Sequence, residues 1–166
     1  MKLGLSSYSL NREIARGAMT LEDAIDWAAA QGAECMELVP FAFRFDDPDT
    51  LAIDYGRIAA IRKHARDAGI ELVNYSVLAN LLVEGEEREK AIERVCHEVD
   101  IAAELGMPRM RHDISAFRRP LDQNTLKDFD DLLPVMIEAT QRICEHGRKR
   151  GVKTLLENHG FFVNGC

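Results

Sequence analysis

The chain of 166 residues is short of positive charge, of cysteine and of any long apolar run. Its 21 Lys and Arg stand against 28 Asp and Glu, a formal charge of −7. That balance offers no electrostatic footprint for nucleic acid and none for an anionic membrane surface. The one basic run, His146-Gly-Arg-Lys-Arg150, falls at an expected helix end, where cations favour the negative pole of the helix dipole. Four cysteines, at 35, 96, 144 and 166, form no C-x-x-C pair and no Cys/His cluster, a usage that points to a reducing, cytoplasmic compartment. Cys96 and Cys144 are expected on apolar helix faces, where a thiol behaves as a small hydrophobe. No stretch approaches the roughly 18 apolar residues of a membrane span. The opening Leu3-Gly-Leu-Ser-Ser-Tyr-Ser-Leu10 is too short and too polar for a signal-peptide core. What remains, 46% apolar and 30% charged residues, is the composition of an ordinary globular protein, read here as one domain over residues 1–166.

A pattern recurs four times: a helix closes on glycine and an apolar strand starts one or two residues later. The glycines are Gly32, Gly69, Gly106 and Gly151, each suited to the left-handed cap that ends a helix and turns the chain back. Helical periodicity predicts a first helix behind the N-cap pair Thr20 and Asp23, with Leu21, Ala24, Ile25 and Ala28 inward. A second spans 54–68, with Ile58, Ile61 and Ala65 inward, and a third 86–105, with Ile92, Val95, Cys96, Val99, Ala102 and Ala103. A fourth runs to about residue 149 through Leu133, Met136, Ile137, Thr140 and Cys144, with Pro134 in its first turn or at a kink. The strands fall at 2–8, 35–39, 71–76, 109–113 and 153–158.

Strands alternating with helices imply parallel pairing through right-handed crossovers, in either an open doubly wound sheet or a (β/α)8 barrel. The dinucleotide-binding open sheet needs a glycine-rich turn after its first strand, and Ser6-Ser-Tyr-Ser-Leu-Asn-Arg12 has none. Polar residues at the C-terminal end of each strand favour the barrel, where active sites are built. A whole barrel takes about 250 residues. The expectation is therefore an incomplete (β/α)8 barrel of five parallel strands and four helices. Its uncovered edges would invite association, so a homo-oligomer is open.

The chemistry collects in Lys153-Thr-Leu-Leu-Glu-Asn-His-Gly160. Glu157 and His159 are two residues apart, so an extended backbone leans both side chains to one face, while Asn158 points away. A carboxylate with an imidazole suits a hard or borderline divalent metal beside a sugar-like substrate. A carboxylate touching both can take a proton alpha to a carbonyl while a metal stabilises the enediolate. For Glu157 the alternative is a salt bridge to a neighbouring Arg or Lys; for His159 it is a cap on the following loop.

With Lys2-Leu-Gly-Leu-Ser-Ser-Tyr-Ser9, Met36-Glu-Leu-Val39 and Leu155-Leu-Glu-Asn-His-Gly-Phe-Phe162 in order along the chain, the sequence resembles sugar phosphate isomerases/epimerases of the xylose isomerase-like barrel superfamily. The likeness runs from residue 1 to about 164 and implies a chain that stops after strand five. It implies one divalent ion (Mn²⁺, Mg²⁺, Co²⁺ or Zn²⁺), with Glu157 as ligand and as proton-transfer base. The Asp, His and second Glu of later strands have no counterpart here. The activity implied is isomerisation or epimerisation of a sugar, keto-sugar or polyol derivative. Dehydration of an inosose-like substrate, or an inactive barrel fragment, is the alternative. Cleavage of DNA at abasic sites, known for related barrels, wants several metal histidines and a basic face, which this chain does not offer.

The remaining candidates for substrate contact are Tyr8, Glu37, Asn74 and His112, each near the end of its strand. Glu37 resembles a recurrent family glutamate, and His112 lies near a metal histidine of the DNA-cleaving barrels; hydrogen bonding at the barrel mouth is the competing role for both. His64, His97 and His146 are expected to be solvated on outer helices. Phe41, Phe43, Phe45, Phe161 and Phe162 either wall a sugar pocket or pack the long loops.

Overall fold

The computed structural model describes residues 1–160 and 162; Phe161 and Cys166 lie outside the described residues. Five strands, β1 (Gly4–Ser6), β2 (Cys35–Leu38), β3 (Glu71–Val77), β4 (Arg109–His112) and β5 (Lys153–Leu156), form one sheet in chain order. Between them run α1 (Asn11–Ala15), α2 (Leu21–Ala30), α3 (Tyr55–Asp67), α4 (Gly85–Glu104) and α5 (Leu126–Arg150). The expected α/β order is present, with one helix more than the periodicity gave. The addition is α1, only five residues long and preceded by a 3-10 turn, Ser7–Leu10, which also ends the first strand early. Ser6 starts that turn, its hydroxyl accepting from the Tyr8 amide.

The chain divides into two compact units, Met1–Ser76 with Ile101–Arg109, and Val77–Asp100 with Met110–Cys166. In the first, β1 pairs with β2 and β2 with β3, both parallel. Met36, Leu38 and Tyr75 of the strands, and Leu21, Ala24, Ile25, Ile58, Ile61 and Ala65 of the helices, are almost fully buried. A register irregularity between Met36 and Glu37 sets Glu37 opposite Asn74. In the second unit, Ile92, Val95, Val99, Met110, Ile114, Met136, Ala139, Ile143 and Val152 are buried. Both long N-termini close as sequence chemistry dictates. Capping boxes at Thr20/Asp23 and Thr125/Asp128 each satisfy two amides that a helix leaves open. The second box starts α5 eight residues before Pro134, so the proline lies inside the helix and not at its start.

Gly32, Gly69, Gly106 and Gly151 all have positive φ, between 71° and 83°, the region that a Cβ disfavours. The repeat read from the sequence is thus a repeat of one backbone device.

The inward face of α5 differs from expectation. Met136, Ala139, Ile143 and Gly147 are buried, whereas Leu133 and Ile137 are 39% and 48% exposed and Cys144 is exposed. Gly147 explains the rotation. A Cβ there would lie 2.6 Å from the Val152 carbonyl oxygen and 2.8 Å from Thr154 Cγ2, so only glycine lets this helix face approach the start of β5. Cys144 accepts a hydrogen bond from the Thr154 hydroxyl at 3.1 Å. The half-buried Cys96 behaves as expected, its thiol pushed up by burial. His64 and His146 are not freely solvated: each ring Nε2 meets a carboxylate, Asp26 at 2.7 Å and Asp100 at 2.8 Å. His97 is half-buried.

Candidate functional site

α5 packs closely on the start of its own following strand, and the catalytic candidates leave from the other end of β5. The Glu157 amide donates to the His112 carbonyl at 3.0 Å, so the backbone pairing with β4 continues one residue past β5. Glu157 and His159 are both half-buried, and the Asn158 between them is exposed, as period-two alternation requires. Gly160 follows with φ of +82°, and a Cβ on it would lie 3.0 Å from the backbone of Phe117. Only glycine permits that approach, which sets the His159 ring against the Phe117 ring, centroids 4.7 Å apart.

β4 and its end supply the partners. Arg111 and Asp113, two residues apart, share a face: Arg111 Nη1 donates to Asp113 Oδ1 at 3.1 Å. His159 Nδ1 lies 3.2 Å from the same oxygen. The Asp113 side chain is only 2% exposed, and a buried carboxylate of this kind needs the cationic and N–H partners it has. Arg111 Nη1 also makes an ion contact with Glu157 Oε2. Glu157 Oε2 is otherwise buried without a hydrogen-bond partner among the described residues. One donor atom from each of Asp113, Glu157 and His159 falls within 4.8 Å of the others. Two carboxylates and an imidazole are a donor set for a hard or borderline divalent ion.

His112 occupies other ground. Alternation along β4 turns it away from Arg111 and Asp113, and it is fully buried. Its Nδ1 lies 2.8 Å from the Asp113 carbonyl oxygen and must donate to it, leaving Nε2 a bare acceptor with no partner among the described residues. Burial holds this imidazole below its ordinary pKa, that is, neutral.

In the first unit, Glu37 and Asn74 come together. Asn74 Nδ2 donates to Glu37 Oε1 and to Ser76 Oγ, each at 2.8 Å, and the Ser76 hydroxyl donates to the same Glu37 oxygen. Asn74 Oδ1 is a buried acceptor with no donor among the described residues. Tyr8 is 59% exposed and meets the Phe41 ring edge-on, centroids 5.5 Å apart. The other aromatics divide between roles: Phe45 is buried beside Tyr75, and Phe162 packs on Phe129 with the Arg119 guanidinium over its ring.

Sequence reasoning missed Arg111 and Asp113. The signal is the run Arg111-His112-Asp113, of which only the histidine is singled out, by its likeness to the DNA-cleaving barrels. Alternation would have separated residues 111 and 113 from 112. Among the described residues no helix is long and apolar enough to cross a membrane.

A family model described as xylose isomerase-like TIM barrel matches residues 25–166. No curated protein matches the chain. Among solved structures, a sugar phosphate isomerase/epimerase from Parabacteroides distasonis ATCC 8503 superposes with a TM-score of 0.64 at 22% identity, over 93% of this chain and 50% of that one. D-psicose 3-epimerase from Clostridium cellulolyticum H10, solved with D-tagatose, gives 0.70 at 16% identity, over 94% and 52%. A xylose isomerase domain protein from Planctomyces limnophilus gives 0.54 at 15% identity, over 78% and 45%. At these identities the likeness is one of fold, and the chain spans about half the length of these structures.

Proposed function

The chain belongs to the xylose isomerase-like TIM barrel family, and on that premise we propose that it carries the proton-transfer group and part of the metal site of an isomerase or epimerase. The substrate class is a sugar, keto-sugar or polyol derivative, and the reaction is proton transfer through an enediolate. One observation supports this most directly: Glu157 Oε2 is buried, lacks a hydrogen-bond partner and lies in a cluster with Asp113 and His159. The only partner of that oxygen among the described residues is the Arg111 cation, so its surroundings already suit a positive charge.

Asp113, Glu157 and His159 would hold the ion. Bound there, a divalent metal would polarise a substrate carbonyl and offset negative charge developing on its oxygen. The chain's own groups do the rest. Glu157 removes the proton from the carbon beside the carbonyl and returns it. Asp113, held by Arg111, fixes the His159 ring through Nδ1 and so leaves Nε2 to face a ligand. Glu37 and Asn74 are proposed to receive substrate hydroxyls, because Asn74 Oδ1 is a buried acceptor that a hydroxyl would satisfy. Tyr8, exposed beside Phe41, is a further proposed contact, whereas the buried His112, turned away from Arg111 and Asp113, is not carried into the site.

Calorimetric titration with Mn²⁺ tests the reading. Saturable binding by the folded chain that Glu157→Gln abolishes is the expected result; a chain that binds no divalent ion would overturn it. Solvent deuterium entering a keto-sugar at the carbon beside its carbonyl would identify the proton transfer, and loss of water from the product would identify a dehydratase instead.

A further inference from the structure

We propose that Arg111 is an internal counter-ion that stands in the cation position between Asp113 and Glu157 and gives way when a divalent metal binds. The proposal rests on the reading above that these residues hold a metal, and it adds what sets the affinity.

A single nitrogen, Arg111 Nη1, serves two carboxylates delivered by different strands: Asp113 Oδ1 at 3.1 Å and Glu157 Oε2 in ion contact. An atom shared in this way occupies the region where a cation bridging the two acids would sit. The guanidinium meets Glu157 Oε2 as an ion contact, and that oxygen has no hydrogen-bond partner among the described residues. A divalent ion carries twice the charge of the guanidinium and binds carboxylate oxygen directly. The charge count points the same way. Two carboxylates and one guanidinium leave one net negative charge, whereas removing the guanidinium leaves two. The metal therefore meets a like charge as long as Arg111 stays in place. Room to leave exists, since the Arg111 side chain is 21% exposed and its stem starts on β4 and not in a closed core.

Mn²⁺ titrations of the wild-type chain, Arg111→Gln, Arg111→Lys and Glu157→Gln separate this proposal from the one beneath it. Arg111→Gln removes the competing charge and should bind Mn²⁺ at least tenfold more tightly; Arg111→Lys keeps the charge and should stay near wild type. Should Arg111→Gln bind no better than wild type while Glu157→Gln abolishes binding, the metal site stands and the counter-ion proposal falls. Absence of binding in every variant removes both. Arg111→Gln leaves Asp113 with one partner fewer and could lose its fold, which circular dichroism would show. A second measurement on the wild type covers that case. Saturating Mg²⁺ should shift the Arg111 guanidinium ¹⁵N resonances toward those of a free arginine, and unchanged resonances at saturation would overturn the proposal.

Discussion

Replacing Gly147 by alanine sets two opposed effects against each other on the helix that positions β5. In an ordinary helix interior, Gly→Ala stabilises by about 1 kcal/mol. Here the new methyl would lie 2.6 Å from the Val152 carbonyl oxygen and 2.8 Å from Thr154 Cγ2. A carbon-to-oxygen contact normally stays beyond about 3.3 Å, so helix and strand must part by roughly 0.7 Å. The carbonyl is backbone and cannot rotate aside, and it lies next to the Val152 amide that donates to Gly147 O at 2.9 Å. Overpacking of this kind costs about 1–3 kcal/mol, so a net loss of about 1 kcal/mol is expected after the helix gain. Urea unfolding followed by far-ultraviolet circular dichroism reads it. Adding Thr154→Ala should recover part of the loss, since it removes the Cγ2 overlap and leaves the carbonyl. An unfolding midpoint for Gly147→Ala at or above wild type would refute the claim that this glycine sets the rotation of α5.

Gly160→Ala should weaken Mn²⁺ binding in the titration described above, because both its φ of +82° and the 3.0 Å approach to Phe117 oppose a Cβ and His159 must shift. Thr125→Ala should cost about 1 kcal/mol in the same urea experiment, by leaving first-turn amides of α5 without an acceptor. Stability should also fall with pH through His112. Its imidazole is held below the ordinary value of 6.5 by burial, so the unfolded chain takes up the proton first and acidification below about 6.5 favours unfolding. Unfolding midpoints measured from pH 7.5 to 5 should therefore flatten in His112→Gln, and an equal slope in both proteins would count against a neutral buried ring.

Much of the fold was legible because glycine caps and apolar periodicity are local signals. Gly32, Gly69, Gly106 and Gly151 mark four helix ends to within a residue or two, and the inward residues of α2 and α3 follow from spacing alone. The first strand is shorter than the sequence suggests, since Ser7 and Tyr8 read as strand residues although the Ser6 hydroxyl caps a 3-10 turn there. The face of α5 was misjudged because Leu133 and Ile137 are apolar and Gly147 is silent in any hydrophobic pattern; what decides is a close approach that a sequence does not display. At the site, Glu157 and His159 were legible from apolar Thr154-Leu-Leu156 leading into polar residues at alternate positions. Arg111 and Asp113 were not, because their role depends on which strand lies beside β5, and charged residues at a strand end look the same whether they face solvent or each other.

The glycine cap and the carboxylate proposed to move the proton lie at opposite ends of β5, with Gly151 before it and Glu157 after it. Changes in the length or surface of α5 are absorbed where the helix closes, some six residues upstream of the chemistry. Such a layout uncouples durability from specificity: evolution, or a designer, can rework the outer layer for heat tolerance while Glu157 and His159 stay in place.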